Sequence, residues 1–398
     1  MNICGIVSEF NPFHRGHEYL ISKAKDMGAQ RVACVMSGSS TQRGELALTD
    51  KYLRAGAAVG GGADLVLELP FPFCSASAQV FADGAIYILS QICDTVIFGS
   101  ECGDIGLLSR CADYSYTDSF KREFALRLEA GEQSAAAYAS LIHEGVGITL
   151  SSNDLLGVEY IKAAKRLGVE DRISFLTVER LGSPYLSEEG ADNGGFDSAM
   201  ALRRMLEHGE NEKTLEGRLP EKSYDLLMSA VCSGEITDGT KLCDAARLFF
   251  RMCEPSDISS FAECEGGVAE RICKMAHESA DAEEFYEMLK TKRYTDAKLR
   301  RAMLFAMCKV RREDLFSLPS YTCLLAANAC GRSILSAYGK RENKPFEIVT
   351  KPADASCLDS AEAARQWELS KKIEALYTFS LKKSAPTGQS VRKKPYIT

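Results

Sequence analysis

Residues 3–20 read ICGIVSEFNPFHRGHEYL, and few folds accommodate that order. An apolar, partly β-branched run (Ile3, Ile6, Val7) suits a buried strand. Asn11-Pro12 marks a turn, and Tyr19, Leu20 and Ala24 then recur at helical spacing. Strand, tight turn and helix start together make an anion-binding arrangement. The first-turn N–H groups of a helix lack partners, and its dipole favours negative charge. His14 and His17, two of only five histidines, stand at that helix start. An imidazole can donate to a phosphate oxygen, and Gly16 between them permits close approach of backbone and ligand. His143, His208 and His277 are scattered through helical stretches and read as ordinary histidines.

The chain goes on as it begins. Strand-like runs at Arg31–Met36, Asp64–Leu69, Thr95–Phe98 and Ile173–Val178 alternate with helical patterns at Asp50–Val59, Ala76–Ser90 and Leu155–Leu167. That alternation predicts right-handed crossovers and a parallel, Rossmann-like α/β sheet. Ligands in such sheets bind beyond the carboxyl ends of the strands. After about Met205 the strand signals fade. Apolar residues at helical spacing over 215–231, 243–252, 268–276, 282–289 and 297–310 predict a mainly α-helical C-terminal domain. Ile348–Val349 reads as one short strand and Ala361–Ser380 as a last helix. The expected division is therefore 1–205 for nucleotide and 206–398 for the helical part. A basic tail (Lys382, Lys383, Arg392, Lys393, Lys394) follows the last helix.

Composition narrows the classes. A net charge of −7 over 398 residues gives no bulk reason for nucleic-acid binding, so any RNA contact needs a local basic patch. The fifteen cysteines are odd in number and contain no C-x-x-C. This argues against a disulfide framework or zinc ribbon and for a reducing cytoplasm. No metal-ligand motif stands out. The opening residues lack a basic, cleavable leader, and no run reaches the ~18 apolar residues of a membrane span.

The segments after each strand are where chemistry is expected. Ser37-Gly38-Ser39-Ser40-Thr41-Gln42-Arg43-Gly44-Glu45 follows the second strand; it is either a loop closing on ligand and substrate that includes Gln42, with Arg43 and Lys51 reaching phosphate, or an ordinary connection. Gly99 ends the fourth strand. Ser151-Ser152-Asn153-Asp154 supplies a helix N-cap, and Asn153 can also read an adenine edge or a ribose hydroxyl. Arg180 after the fifth strand suits bidentate phosphate or carboxylate recognition. Lys292, Arg293, Tyr294, Lys298, Arg300 and Arg301 form the densest mix of cations and aromatic before the tail, either an RNA-facing surface or a solvated helix face.

The run from Asn11-Pro12-Phe13-His14 through Gly16-His17 resembles the HxGH signature of the nucleotidyltransferase superfamily. The longer GIVSEFNPFHRGHEYL is similar to one branch, the bacterial tRNA(Met) cytidine acetate ligases. The resemblance implies catalytic roles for His14 and His17. It also implies an ATP site formed by Val7, Ser8, Glu9, Phe10, Asn11, Pro12, Phe13, Arg15, Gly16, Glu18, Tyr19 and Leu20 with Gly99, Asn153, Arg180, Ser198 and Arg203. Family members carry Ser-x-Thr-x-x-Arg near the last pair; here Met200 replaces the Thr and removes a donor worth about 0.5–1.5 kcal/mol. The KRYT element at 292–295 is implied to contact tRNA. The implied partners are ATP with Mg²⁺, acetate and the anticodon loop of elongator tRNA(Met), with no membrane. The implied activity is acetyl-adenylate formation followed by acetylation of N4 of the wobble cytidine. A small-molecule cofactor adenylyltransferase and a non-catalytic RNA-binding protein are the alternative readings.

Overall fold

In the computed structural model of the chain, which describes residues 2–180, 196–207, 215–351, 355, 358–388 and 393–398, five strands lie parallel. They are β1 (Ile3–Ser8), β2 (Arg31–Ser37), β3 (Leu65–Leu69), β4 (Thr95–Ser100) and β5 (Ser174–Glu179). The crossover helices are α1 (Arg15–Asp26), α2 (Lys51–Gly60), α3 (Ala78–Ser90), α4 (Ile105–Ser115), α5 (Asp118–Glu129), α6 (Ser134–Val146) and α7 (Ser152–Leu167). β1 lies between β2 and β4, so the chain reverses its direction of travel across the sheet there. A crevice opens at such a switch point, beyond the carboxyl ends of the two strands.

Side-chain alternation along β2 builds the two faces. Val32, Cys34 and Met36 pack with Ile21 and Ala24 of α1 and Ala55 and Ala58 of α2. Ala33 and Val35 point the other way, toward Phe81 and Ile86 of α3 and Val158 of α7. Helix starts follow local chemistry. Asp50 caps α2 by accepting from Tyr52 N at 2.8 Å, and Ser151 with Asp154 forms a capping box on α7.

The second half departs from expectation. Tyr321–Ala327 is a strand, β6, and it joins the same sheet antiparallel to β3, pairing Leu65 with Ala327 and Val66 with Ala326. β7 (Glu347–Val349) and β8 (Tyr396–Ile397) then pair with β6. The sheet is therefore mixed rather than wholly parallel. YTCLLAA is buried at every position, so it carries no alternation to betray a strand. The helices Gly239–Arg251, Val268–Glu278, Ala282–Leu289 and Asp296–Cys308 do form a core of their own around Phe250, Ile272, Phe285 and Leu299. In the tail, Lys383 N bonds Gly234 O, and Lys393 lies 3.3 Å from Asp50. Arg392 lies outside the described residues.

Candidate active site

The turn after β1 is held from behind. Arg54 of α2, 2% exposed, donates from Nη1 to Glu9 O at 2.6 Å and to Ser37 O at 3.2 Å. Its Nη2 donates to Gly38 O. One guanidinium thus ties together the carboxyl ends of β1 and β2. Sequence reading passed over Arg54 because it sits inside an Ala- and Gly-rich helix with no motif around it. Phe10 adopts a left-handed backbone (φ 45°) that a non-glycine residue occupies only where its surroundings over-determine it. Its ring is buried edge-on to His17, with centroids 4.9 Å apart.

The two imidazoles stack at 3.7 Å between centroids. His14 is the N-cap of α1; its Nδ1 accepts from Gly16 N at 3.1 Å. His17 Nδ1 accepts from His14 N at 3.2 Å. The first-turn amides expected to meet an anion directly are therefore partly satisfied by the rings themselves. A ring whose Nδ1 accepts carries its proton on Nε2, so this hydrogen-bond network assigns an Nε2–H donor to each ring. Burial, with Arg180 nearby, pulls the His14 pKa down to about 3. Burial, then His14, then Arg180 push that of His17 well below its ordinary value. Both rings are neutral donors at physiological pH.

These rings line a cavity of about 330 Å³ whose wall also includes Val7, Ser8, Glu9, Phe10, Asn11, Gly16, Tyr19 and Leu20 from the β1–α1 segment. Gln42 and Arg43 reach it from the β2–α2 loop, Gly99 from β4, Asn153 from α7, and Arg180 from beyond β5. Arg203 and Met200 come from α8 (Ala199–Glu207). Beyond Val7, Phe10, Tyr19 and Leu20, sequence reading named no apolar wall, yet Phe81, Phe98, Leu155, Leu156, Tyr160 and Val178 extend it; such residues look like ordinary core until the tertiary structure exposes an edge of them.

The cations enter from separate elements. Arg203 donates to Asn11 O at 2.9 Å, which fixes α8 against the turn. Arg180 Nε lies 3.6 Å from Glu101, and Gly99 is where an added Cβ would crowd Arg180 Cγ at 3.1 Å. Ser151 and Asp154 cap α7 without help from Asn153, whose amide donates to Glu101 at 2.6 Å. Glu9 Oε1 accepts from Gln42 N at 2.8 Å, and burial raises its pKa.

Several expected contacts stand elsewhere. Phe13 is buried in the sheet core, Pro12 is buried beside it, and Glu18 is in the first turn of α1 but off the cavity wall. Arg15 Nε donates to Gly217 O at 2.6 Å. Ser198 accepts from Ala201 N at 3.1 Å at the start of α8. Lys51 is 6% exposed and held 2.8 Å from both Glu68 and Glu374, and it is not on the cavity wall. Among the described residues no cluster of three His, Cys, Asp or Glu side chains could hold a metal ion.

The six residues of the basic element do not form one face. Arg301 turns inward to Glu263 at 2.8 Å and is 9% exposed. Arg300 pairs with Glu45 and Tyr286. Lys298 and Arg293 lie over the Tyr294 ring at 5.6 and 5.2 Å. Lys292 offers its carbonyl to Gln133.

A switch-point crevice with paired imidazoles after β1 defines a nucleotidyltransferase, and the model of the HIGH nucleotidyl transferase family matches residues 1–392. The chain is 32% identical over 378 residues to a tRNA(Met) cytidine acetate ligase of Acetivibrio thermocellus, covering 90% of each. It is 34% identical to one of Caldicellulosiruptor bescii, covering 88% of this chain and 87% of the other. A solved structure of Thermotoga maritima TmcAL superimposes with TM-score 0.91 at 29% identity over 100% of this chain and 99% of that one. A second, bound with alpha-thio ATP, does so with TM-score 0.89 at 28% identity. The chain belongs to the tRNA(Met) cytidine acetate ligase family.

Proposed function

We propose that this protein joins acetate to ATP and passes the acetyl group to N4 of the wobble cytidine of elongator tRNA(Met). The observation that carries the reading is the pair of neutral, stacked imidazoles, each pinned through Nδ1, on the wall of the switch-point cavity. An acetate oxygen attacks the α-phosphorus of ATP. The bond to the bridging oxygen breaks, diphosphate leaves, and acetyl-adenylate remains. The cytidine amine then attacks the acetyl carbonyl, the C–O bond breaks, AMP leaves, and the surplus amine proton is lost.

Acetate is already anionic, so the first step needs no base. It needs alignment and stabilisation of charge on the phosphates. The two Nε2–H groups are donors whose positions are fixed before reaction. Arg43, Arg180 and Arg203 bring positive charge to the same cavity. The apolar wall suits the adenine, with Asn153 at its edge. Met200, where relatives in this superfamily have a hydroxyl, leaves Arg203 and the rings to hold the phosphates. Mg²⁺ would arrive on the nucleotide's own phosphates, since the described acidic residues offer no cluster to hold it. A wobble base lies unpaired and can be splayed into a pocket at low cost, and Lys292, Arg293, Tyr294 and Lys298 are the RNA-side groups in this reading. No described helix is long and apolar enough to cross a membrane, and the described cysteines are free thiols; both are compatible with a cytoplasmic site of action.

Acetate-dependent ATP–diphosphate exchange tests the first half. His17→Ala should lower it by at least about a hundredfold, the scale of losing a fixed donor in a water-poor site. Exchange at the wild-type rate would remove the ring from the reaction. A cofactor adenylyltransferase would instead form dinucleotide product without tRNA.

A further inference from the structure

The β2–α2 loop has two jobs divided between adjacent residues. Gln42 and Arg43 line the cavity. Gly44 and Glu45 lie against the helix Asp296–Cys308. Gly44 has φ +76°, and a Cβ there would stand 2.6 Å from Arg301 N and 2.8 Å from the Arg300 carbonyl carbon. Those are backbone atoms, so nothing larger than glycine fits without moving the helix. Glu45 then accepts from Arg300 and lies 3.5 Å from Arg203, whose other nitrogen holds Asn11 O in the β1–α1 turn. A continuous chain of contacts therefore runs from that turn through Arg203, Glu45 and Arg300 to Tyr286. It joins the cleft to the helix whose N-terminal residues follow Lys292-Arg293-Tyr294.

We propose that Glu45 is a positioning residue: its carboxylate, shared by Arg203 and Arg300, holds the basic helix in register with the adenylation cleft so that acyl donor and RNA acceptor meet. This rests on the two-step reading above, and it concerns the second step. Glu45 is only 32% exposed at its side chain and lies between two arginines, so its pairing is less open to solvent than an isolated surface bridge.

The sign of one substitution separates this role from a bulk electrostatic one. Glu45→Gln removes a negative charge beside an RNA-facing element, which by charge alone strengthens RNA binding. A positioning role predicts the reverse: acetyl transfer to tRNA falls about tenfold in kcat while acetate-dependent exchange stays within about threefold of wild type. Arg300→Gln should do the same, and the double variant Glu45→Gln/Arg300→Gln should be no worse than either alone. The measurements are exchange with labelled diphosphate and transfer of labelled acetate to tRNA(Met), both on the full chain. Retained or increased transfer in Glu45→Gln overturns the proposal. So does an equal fall in exchange and transfer, which would move Glu45 to the first step. A wild-type chain lacking acetate-dependent exchange overturns the two-step reading and this proposal with it.

Discussion

Two histidines carry the greatest chemical consequence per atom. His14 and His17 satisfy backbone N–H groups through Nδ1; His14 is buried and His17 half-buried, and desolvation lowers both pKa values, so each is held neutral. This has a cost at low pH. The unfolded chain protonates both rings as pH drops through about 6.5, whereas the folded chain keeps His14 neutral down to about pH 3. In that window the unfolded state binds more protons, so stability falls as pH is lowered and is full above it. Each ring that stays neutral adds a slope of about 1.4 kcal/mol per pH unit. Urea unfolding at pH 7.5 and about pH 5 should therefore show a wild-type loss that His14→Asn reduces; equal losses would mean the ring is protonated in the folded protein. Donation to phosphate, by contrast, uses the neutral form and should not change between about pH 7 and 8.

Among elements, the sequence is most informative where period and punctuation agree. β1 to β5 and the helices α1, α2, α3 and α7 fall close to where apolar runs and Gly, Pro and Ser signals place them; His14 and His17 lie just after β1, and Gly99 near the end of β4. β6 is the element that sequence reading missed, since a run of seven buried residues has neither a period of 2 nor one of 3.6. Lys51 is the corresponding miss among side chains. Its place at the start of α2, just after the β2–α2 loop, suggests phosphate. The structure instead buries it between Glu68 of β3 and Glu374 of the helix Ala361–Phe379. Ser39 Oγ also donates to Glu374 at 2.7 Å, so this cluster underpins the loop that carries Gln42 and Arg43. Lys51→Met should cost about 3–5 kcal/mol, because two buried carboxylates lose their counter-charge. Lys51→Met/Glu68→Gln/Glu374→Gln should recover much of it. The midpoint of urea unfolding reads both, and a single variant as stable as wild type would show that Lys51 does not neutralise the two carboxylates.

The whole molecule binds its halves through the sheet. β6 covers the β3 edge, and the last helix adds Leu369 and Ile373 to one face of the core and the only tryptophan, Trp367, to the other. A fragment of residues 1–205 keeps most cavity-lining residues but leaves β3, buried at all five positions, as an open apolar edge. Such edges aggregate. The fragment should be insoluble or molten, while co-expression with 206–398 should restore a soluble complex; a soluble, cooperatively melting fragment would make residue 205 a true folding boundary. What the sequence by itself determined is local: a strand, a turn and a capped helix start are set by neighbours within about ten residues, and that is enough to put two imidazoles on the wall of the cavity. What only the tertiary structure decided is long-range: which strand fills the β3 edge, which lysine is buried, and which carboxylate joins the cleft to the basic helix. Those outcomes depend on burial and charge pairing between residues hundreds of positions apart, for which a linear pattern holds no signal.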